Sequence, residues 1–480
     1  MNLSDPLLWL LIVLLAPVTG ALLAVVAGAR ASELIARITA LLTLAAAAAL
    51  LGLRAQGSWG AYIGLDALSD LFLFLVAAIY AASTWYSRGY LRSIDRPFLT
   101  PQRYYALLGA FAFAMLLTLS VTDLGLMWIG LEGTTVASAL LIVLERRPTS
   151  VEAAWRYTLI ASAGLTIALF ALLLLYEATG SLNGFALAAH PMVLSLPLAM
   201  AVTLALVGYG TKIGLFPMHT WLPDAHSEAP SPVSAMFSGV LLPTALYAFL
   251  RVYAVVASPV PAALSDLVIV FGVATALVAA FLMQRQRSYK RLLAYSSMEV
   301  MGLAVVGVGL GGIALYGALI LVVAHAFAKS AAFYCAGNVL RRTGTTRIED
   351  VRGLRTDLPW TGATWVLSAI AVTGTPPFGT FVGELLIVAG AIVVGAWWVA
   401  IACVVAILLS FLGMNAQIGR MVFGADPGRG SDTAGPPESP RAVVIPLINV
   451  SVALLLGIIA IPYLAPTIHS AASLLGGGVP

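Results

Sequence analysis

Apolar runs of about 20 residues recur along the whole chain, parted by short polar segments rich in Arg, Asp, Gly and Pro; a helix of that length crosses the hydrocarbon core of a bilayer. Fourteen such runs, centred near residues 17, 44, 76, 112, 134, 165, 204, 244, 273, 301, 327, 373, 403 and 453, predict fourteen transmembrane helices. No period-two alternation competes with them, so the pattern predicts an all-α polytopic membrane protein without strands. The first run has no basic leader, carries Asp5 before it and lacks a small-residue cleavage site before Arg30, which reads as a retained helix rather than a signal peptide. Two runs are interrupted by Gly and Pro, at residues 208–223 (GYGTKIGLFPMHTWLP) and 373–384 (TGTPPFGTFVGE). Breaks at membrane depth leave backbone groups that protein or water must satisfy.

Composition agrees with this reading. The 480 residues are 61% hydrophobic and 10% charged, well beyond the apolar share of about 45–50% in a soluble domain. The net charge of +4 does not form a nucleic-acid patch, because the basic residues fall in alternate loops. From Arg30 and Arg37, through Arg88, Arg92, Arg96 and Arg103, to Lys290, Arg429 and Arg441, they share one side; Arg54 and Arg251 fall on the other. The positive-inside rule then predicts a multi-pass protein of the plasma (inner) membrane with both termini on the outer side. Residues 424–440 form a Gly/Pro/Ser-rich inside loop with no expected mechanistic part. Cys335 and Cys403 lie in apolar segments without metal-ligand spacing, and no phosphate loop, nucleotide fingerprint or nucleophile arrangement occurs. The chain itself is therefore not read as a redox catalyst or as holding a cofactor.

The chemistry lies in charges placed where charges are costly. Of the three lysines, Lys212 and Lys329 sit inside apolar runs, as do Glu132, Glu299 and Glu384. A Lys, Arg or Asp at a bilayer centre costs roughly 2.5–3.5 kcal/mol on insertion scales, so such residues persist chiefly where they face a partner charge, a protein interior or water. Five of them in several helices suggest a proton or cation route. Moving a carboxylate toward or away from a buried lysine changes its proton affinity, each pKa unit being about 1.36 kcal/mol, which makes Glu132 and Lys212 a plausible coupling element. His325 and Lys329 stand four apart and share a helix face, as a relay requires. Glu384, after the second break, reads as an exit group. Glu299 is either a second buried partner or a structural carboxylate satisfied by Ser296 and Ser297. His219, Asp224, His226 and Glu228 are either an entry funnel or a solvated loop. Glu132 precedes Lys212 by 80 residues and Glu299 precedes Glu384 by 85, so each half offers an acid and an ionisable group near a break, the signature of inverted repeats.

At these residues the chain resembles the antiporter-like membrane subunits shared by respiratory complex I, Mrp-type sodium/proton antiporters and membrane-bound nickel–iron hydrogenases. The resemblance is carried by GYGTKIGLFPMHTWLPDAHSEAPSPVSAMFSGVLL at 208–242, YKRLLAYSSMEVMG at 289–302 and HAFAKSAAFYCAGNVL at 325–340. In detail, with WIGLEGTTVASALLIVLERRPTSVEAAWRY at 128–157, it looks like the F component of hydrogenase-4 and formate hydrogenlyase complexes. The resemblance implies two inverted five-helix repeats, each with one broken helix: helices 1–3 over 1–100, a first repeat over 101–257, a second over 258–424, and an inside loop with helix 14 over 425–480. It also implies Glu132 and Lys212 as an ion pair sensing a neighbouring subunit, His325 and Lys329 as the central relay, Glu384 as the exit, and nickel–iron and iron–sulfur centres in partner subunits if the assembly is hydrogenase-like. Many relatives carry a lysine where this chain has Pro243. No long lateral helix follows the fourteenth span, unlike the terminal subunit of complex I. Three functions follow as expectations: a proton-translocating subunit of a membrane oxidoreductase, a component of a cation (sodium)/proton antiporter, or a structural subunit that has lost conduction.

Overall fold

The computed structural model describes residues 5–94, 97–256, 258–425 and 438–475. Most of the 424–440 loop, with Arg429, and Arg96 lie outside these residues.

Helices α1 (Pro6–Val26), α2 (Ala29–Leu53), α3 (Ala67–Leu91), α4 (Pro101–Ser120), α5 (Leu124–Ile142) and α6 (Pro148–Thr179) lead into the short α7 (Gly184–Ala189) and then α8 (Leu196–Ile213). After α9 (Leu222–Glu228), α10 (Ser231–Met236) and α11 (Leu242–Tyr253) come α12 (Ala262–Met283), α13 (Tyr289–Leu310), α14 (Gly312–Thr343) and the single turn α15 (Leu354–Asp357). The chain continues through α16 (Pro359–Val372), α17 (Gly379–Val393), α18 (Trp397–Phe423), α19 (Pro440–Leu455) and α20 (Ile461–Ser473). Their starts follow local chemistry: the Asp66, Asp123 and Ser195 side chains accept from the backbone of Ser69, Leu126 and Leu198, and Pro opens α1, α4, α6 and α8.

Among the described residues, thirteen helical stretches are long and apolar enough to cross a membrane. The fourteenth expected span, near residue 373, is the pair α16 and α17, each too short to cross alone. The expectation of no strands is corrected by a hairpin of β1 (Gly57–Trp59) and β2 (Ile63–Leu65). Its three-residue strands are too short to show alternation, and Gly60 at φ 70° makes the turn.

The stretch Ser231–Tyr253, with α13 and α14, forms the interior, while α1, α2, α6, α12 and α18 present apolar side chains outward. Glycines let these helices touch backbone to backbone. A Cβ on Gly208 would stand 2.5 Å from the Ala168 nitrogen, fixing α8 on α6, and one on Gly302 would stand 2.7 Å from the Ala276 nitrogen, fixing α13 on α12.

Both breaks satisfy their backbone groups with protein. At the first, Gly214 turns at φ 88°, Gly214 N and Leu215 N return to the Gly210 carbonyl, and Phe216 N donates to Thr275 Oγ1 of α12 at 3.0 Å. At the second, Gly374 turns at φ 61°, Thr375 N returns to the Ile370 carbonyl, and the Thr380 hydroxyl donates to the Ala371 carbonyl. A side chain at either glycine would be forced into the left-handed region.

Candidate ion-transfer site

Lys212 lies in the last turn of α8, fully buried, just before the Gly214 break. Its Nζ donates to Thr135 Oγ1 at 2.6 Å and to the Tyr157 hydroxyl at 2.9 Å. Tyr157 also meets Ser138 at 2.9 Å. Glu132 stands one turn before Thr135 on α5; its Oε1 accepts from Ser162 at 2.6 Å and its Oε2 has no partner. Among the described residues no salt bridge or hydrogen bond joins Glu132 to Lys212; Thr135 and Tyr157 hold the ammonium. The two remain within electrostatic reach.

Tyr157 packs on Trp221 with ring centroids 4.8 Å apart and on Phe237 at 5.7 Å. Beyond these rings lies His226, 5.5 Å from Phe237 and fully buried. Its Nδ1 lies 2.8 Å from the Leu222 carbonyl. A carbonyl only accepts, so Nδ1 carries the proton and Nε2, which has no partner, is left as an acceptor. His226 is within electrostatic reach of both Lys329 and Lys290. The expected cluster of four residues is thus split. Asp224 pairs with Arg156 and Arg291 at the surface, and Glu228 accepts from Thr149. His219 stacks near Phe216, its Nδ1 without a partner among the described residues, while His226 belongs to the interior.

Lys329, on the fully buried face of α14, donates to the Leu293 carbonyl at 3.2 Å and to the Ser296 hydroxyl. Ser297 donates to the same carbonyl and pairs with Ser238 at 2.6 Å. These serines are engaged elsewhere, so the alternative in which they satisfy Glu299 fails: Glu299 Oε1 has no partner. Glu299 lies within electrostatic reach of Lys329 and of Glu384. Glu384 is buried, its carboxylate lying against Gly374 of the second break. His325, one turn before Lys329, is fully buried with neither ring nitrogen partnered. The structure therefore gathers Lys329, His325, Glu299 and Glu384 on one side, Lys212 and Glu132 on the other, and His226 between aromatic rings.

Pro243 explains the shape of the segment joining them. It has no N–H, and its ring would crowd the carbonyl four residues back, Gly239. The preceding turn, Phe237–Leu241, widens to a π-helix closed by Leu242 N to the Phe237 carbonyl. This bulge carries Ser238, and a Cβ on Gly239 would stand 3.1 Å from the Ala326 carbonyl, beside His325.

Two basic residues are not where the loop pattern predicts. Lys290 is in the first turn of α13, 1% exposed, and its Nζ meets the Ala229 carbonyl at 2.5 Å, a helix-end acceptor that lacks an intrahelical donor. Arg251 is buried in the last turn of α11. It reaches both carboxylate oxygens of Asp66 at 2.6 Å and Ser69 at 2.9 Å, between the rings of Phe185 and Tyr247. Burial pushes the Asp66 carboxyl up, but the Arg251 guanidinium and the capping hydrogen bonds outweigh it and hold it below its usual value. The sequence signal available was an Arg still inside an apolar run.

Comparison with known proteins agrees with this architecture. Residues 121–410 match the family described as NADH:quinone oxidoreductase/Mrp antiporter, TM. The chain is 36% identical over 348 residues to a hydrogenase-4 component F homolog of Methylacidiphilum infernorum (isolate V4), covering 69% of this chain and 73% of that one. It is 32% identical over 408 residues to NADH-quinone oxidoreductase subunit N of Desulforudis audaxviator (strain MP104C), covering 81% and 80%. A chain of the Mrp complex from Dietzia sp. DQ12-45-1b shares the fold with a TM-score of 0.87 at 22% identity, over 99% of this chain and 98% of that one. With its broken helices and buried lysines, this chain belongs to the NADH:quinone oxidoreductase/Mrp antiporter transmembrane family.

Proposed function

We propose that this chain is a proton-translocating, antiporter-like subunit of a multi-subunit membrane oxidoreductase of the hydrogenase-4 or complex I kind. The observation that carries the reading is a pair of fully buried lysines, Lys212 and Lys329, each held by hydroxyl and carbonyl groups instead of a carboxylate. An ammonium so held can give up its proton without breaking an ion pair.

Glu132 borders an outward apolar face with Ile129, Val136, Trp155 and Leu159, a surface suited to a neighbouring membrane subunit. Redox chemistry in partner subunits, which carry any nickel–iron and iron–sulfur centres, moves charge near Glu132 and alters the proton affinity of Lys212. Protons pass by way of His226 to Lys329 and His325, with the Ser238–Ser297 hydroxyl pair on the π-bulge serving where relatives place a lysine. They leave through Glu299 and Glu384. The two repeats, 101–257 and 258–424, each contribute one break, and the protein sits in the plasma membrane with both termini outside.

Replacing Lys212→Met in the native complex should abolish proton uptake into inverted vesicles while the subunits still co-purify. Unchanged uptake in that variant refutes the pathway. Co-purification with antiporter subunits alone, without a redox partner, shifts the function to cation/proton exchange.

A further inference from the structure

The arginines of α2, α3, α14 and α19 converge on one cavity of about 350 Å³ at the end of the helices. Arg37, Arg88, Arg92, Arg341 and Arg441 line it, with Trp85. A topological excess of arginine on one side requires only that they be there, each free in water. These are not free. Arg37, Arg88 and Arg92 share a single carboxylate, Glu33, at 3.3, 2.9 and 3.2 Å. Arg341 and Arg441 pair with no carboxylate among the described residues. Glu438, which borders Arg341 in an adjoining space, is occupied capping the Trp360 and Thr361 nitrogens.

Two guanidinium nitrogens of this cavity, Arg37 Nε and Arg341 Nε, are buried with no acceptor among the described residues. A buried donor on a charged group without a partner is costly, so the site is built for acceptors that come from outside. Arg37 further lies over the Trp85 ring at 5.2 Å, which fixes the guanidinium plane.

We propose that this cavity binds the phosphate headgroup of an anionic phospholipid. Its remaining wall selects lipid over a free anion. Val444 and Ile445 continue the cavity along α19 toward its membrane-facing side, where Leu447 and Ile448 project outward, and Leu41 of α2, one turn deeper than Arg37, is exposed as well. Acyl chains fit along these faces while the headgroup meets the arginines, the arrangement expected of a basic pocket between membrane helices.

The test uses the detergent-purified full chain or its complex, delipidated and titrated in native mass spectrometry with phosphatidylglycerol or with phosphatidylcholine of the same chains. Phosphatidylglycerol should bind with 1:1 stoichiometry at least tenfold more tightly than phosphatidylcholine, and millimolar inorganic phosphate should not displace it. Arg88→Gln with Arg341→Gln should weaken binding by about 25-fold, from about fivefold per arginine near a surface, while Arg341→Lys stays close to wild type. Arg347→Gln, whose partners are Glu349 and Asp350 away from this cavity, should change nothing. Equal affinity for the two lipids in the unsubstituted protein overturns the proposal without reliance on any variant folding. So does displacement by phosphate alone, which would mark a small-anion site, or crosslinking of an acidic segment of a neighbouring subunit into a lipid-free cavity.

Discussion

Replacing Asp66→Asn isolates the worth of one buried charge. Asn is as good a helix cap as Asp, so the bond from Ser69 N that starts α3 survives the change. What disappears is the negative charge facing Arg251, whose side chain is 3% exposed and held by two 2.6 Å bonds to that carboxylate. Leaving one member of a buried pair uncompensated costs about 3–5 kcal/mol. The amide oxygen can keep Ser69 N and Arg251 Nη2, but the amide NH2 then faces Nη1 donor to donor, which offsets what the Tyr247 and Phe185 rings still contribute, so we expect the full range of about 3–5 kcal/mol. Chemical denaturation of the detergent-solubilised protein reads it directly. The double variant Asp66→Asn with Arg251→Met should recover part of the loss, because the stranded charge is gone. The pH dependence has a fixed sign. The Asp66 carboxyl is held below its usual value in the folded protein, so its contribution is fully present above the unfolded value of about 3.9 and fades as pH falls through the folded one. The gap between wild type and Asn should therefore be constant from pH 5 upward and close only under strong acid. An Asn variant as stable as wild type, or a double variant worse than the single, refutes the reasoning.

Ser238→Ala combined with Ser297→Ala removes the hydroxyl pair from the π-bulge; proton uptake should drop at least tenfold while stability changes by less than about 2 kcal/mol, since both partners leave together, and intact uptake would show that the pair is only structural. Gly374→Ala places a methyl on the Glu384 carboxylate and forces a left-handed backbone, so it should destabilise the protein by about 1–3 kcal/mol and halt transport; Glu384→Ala in the same chain should relieve the clash and recover part of the stability, the backbone strain remaining, but not transport, measured by thermal unfolding beside vesicle uptake.

The spans and their breaks were readable because twenty apolar residues and a Gly–Pro interruption are local signals. Lys212, Lys329, Glu299 and Glu384 could be picked out for the same reason: a charge in an apolar run stands out alone. Their companions could not. Thr135, Tyr157 and Ser238 look like ordinary membrane-helix residues, and only the crossing of α5, α6 and α8 brings the first two to Lys212. The pairing of Glu132 with Lys212 came from the family resemblance, which does not say which groups touch the ammonium: Thr135, one turn from Glu132, and Tyr157 do. Lys290 and Arg251 were assigned to loops by charge counting, which places a residue on a side of the membrane but does not say whether protein covers it. The hairpin at 57–65 is local, but its three-residue strands are too short to show alternation, and the burial of His226 depends on contacts between segments far apart in the chain.

The π-turn at Phe237–Leu241 adds one residue to the helix that runs from Ser231 to Tyr253. Were that turn to relax to ordinary α pitch, everything beyond it would rotate by about 100° and slide by about 1.5 Å. Tyr247 and Arg251 would swing away from Ser69 and Asp66. The ion pair at the helix end thus acts as a phase lock for a bulge ten or more residues away: it holds Ser238 in angular register with Ser297. A disturbance of the Asp66 end, from solvent or from a bound subunit, would be felt as torsion at the centre of the membrane.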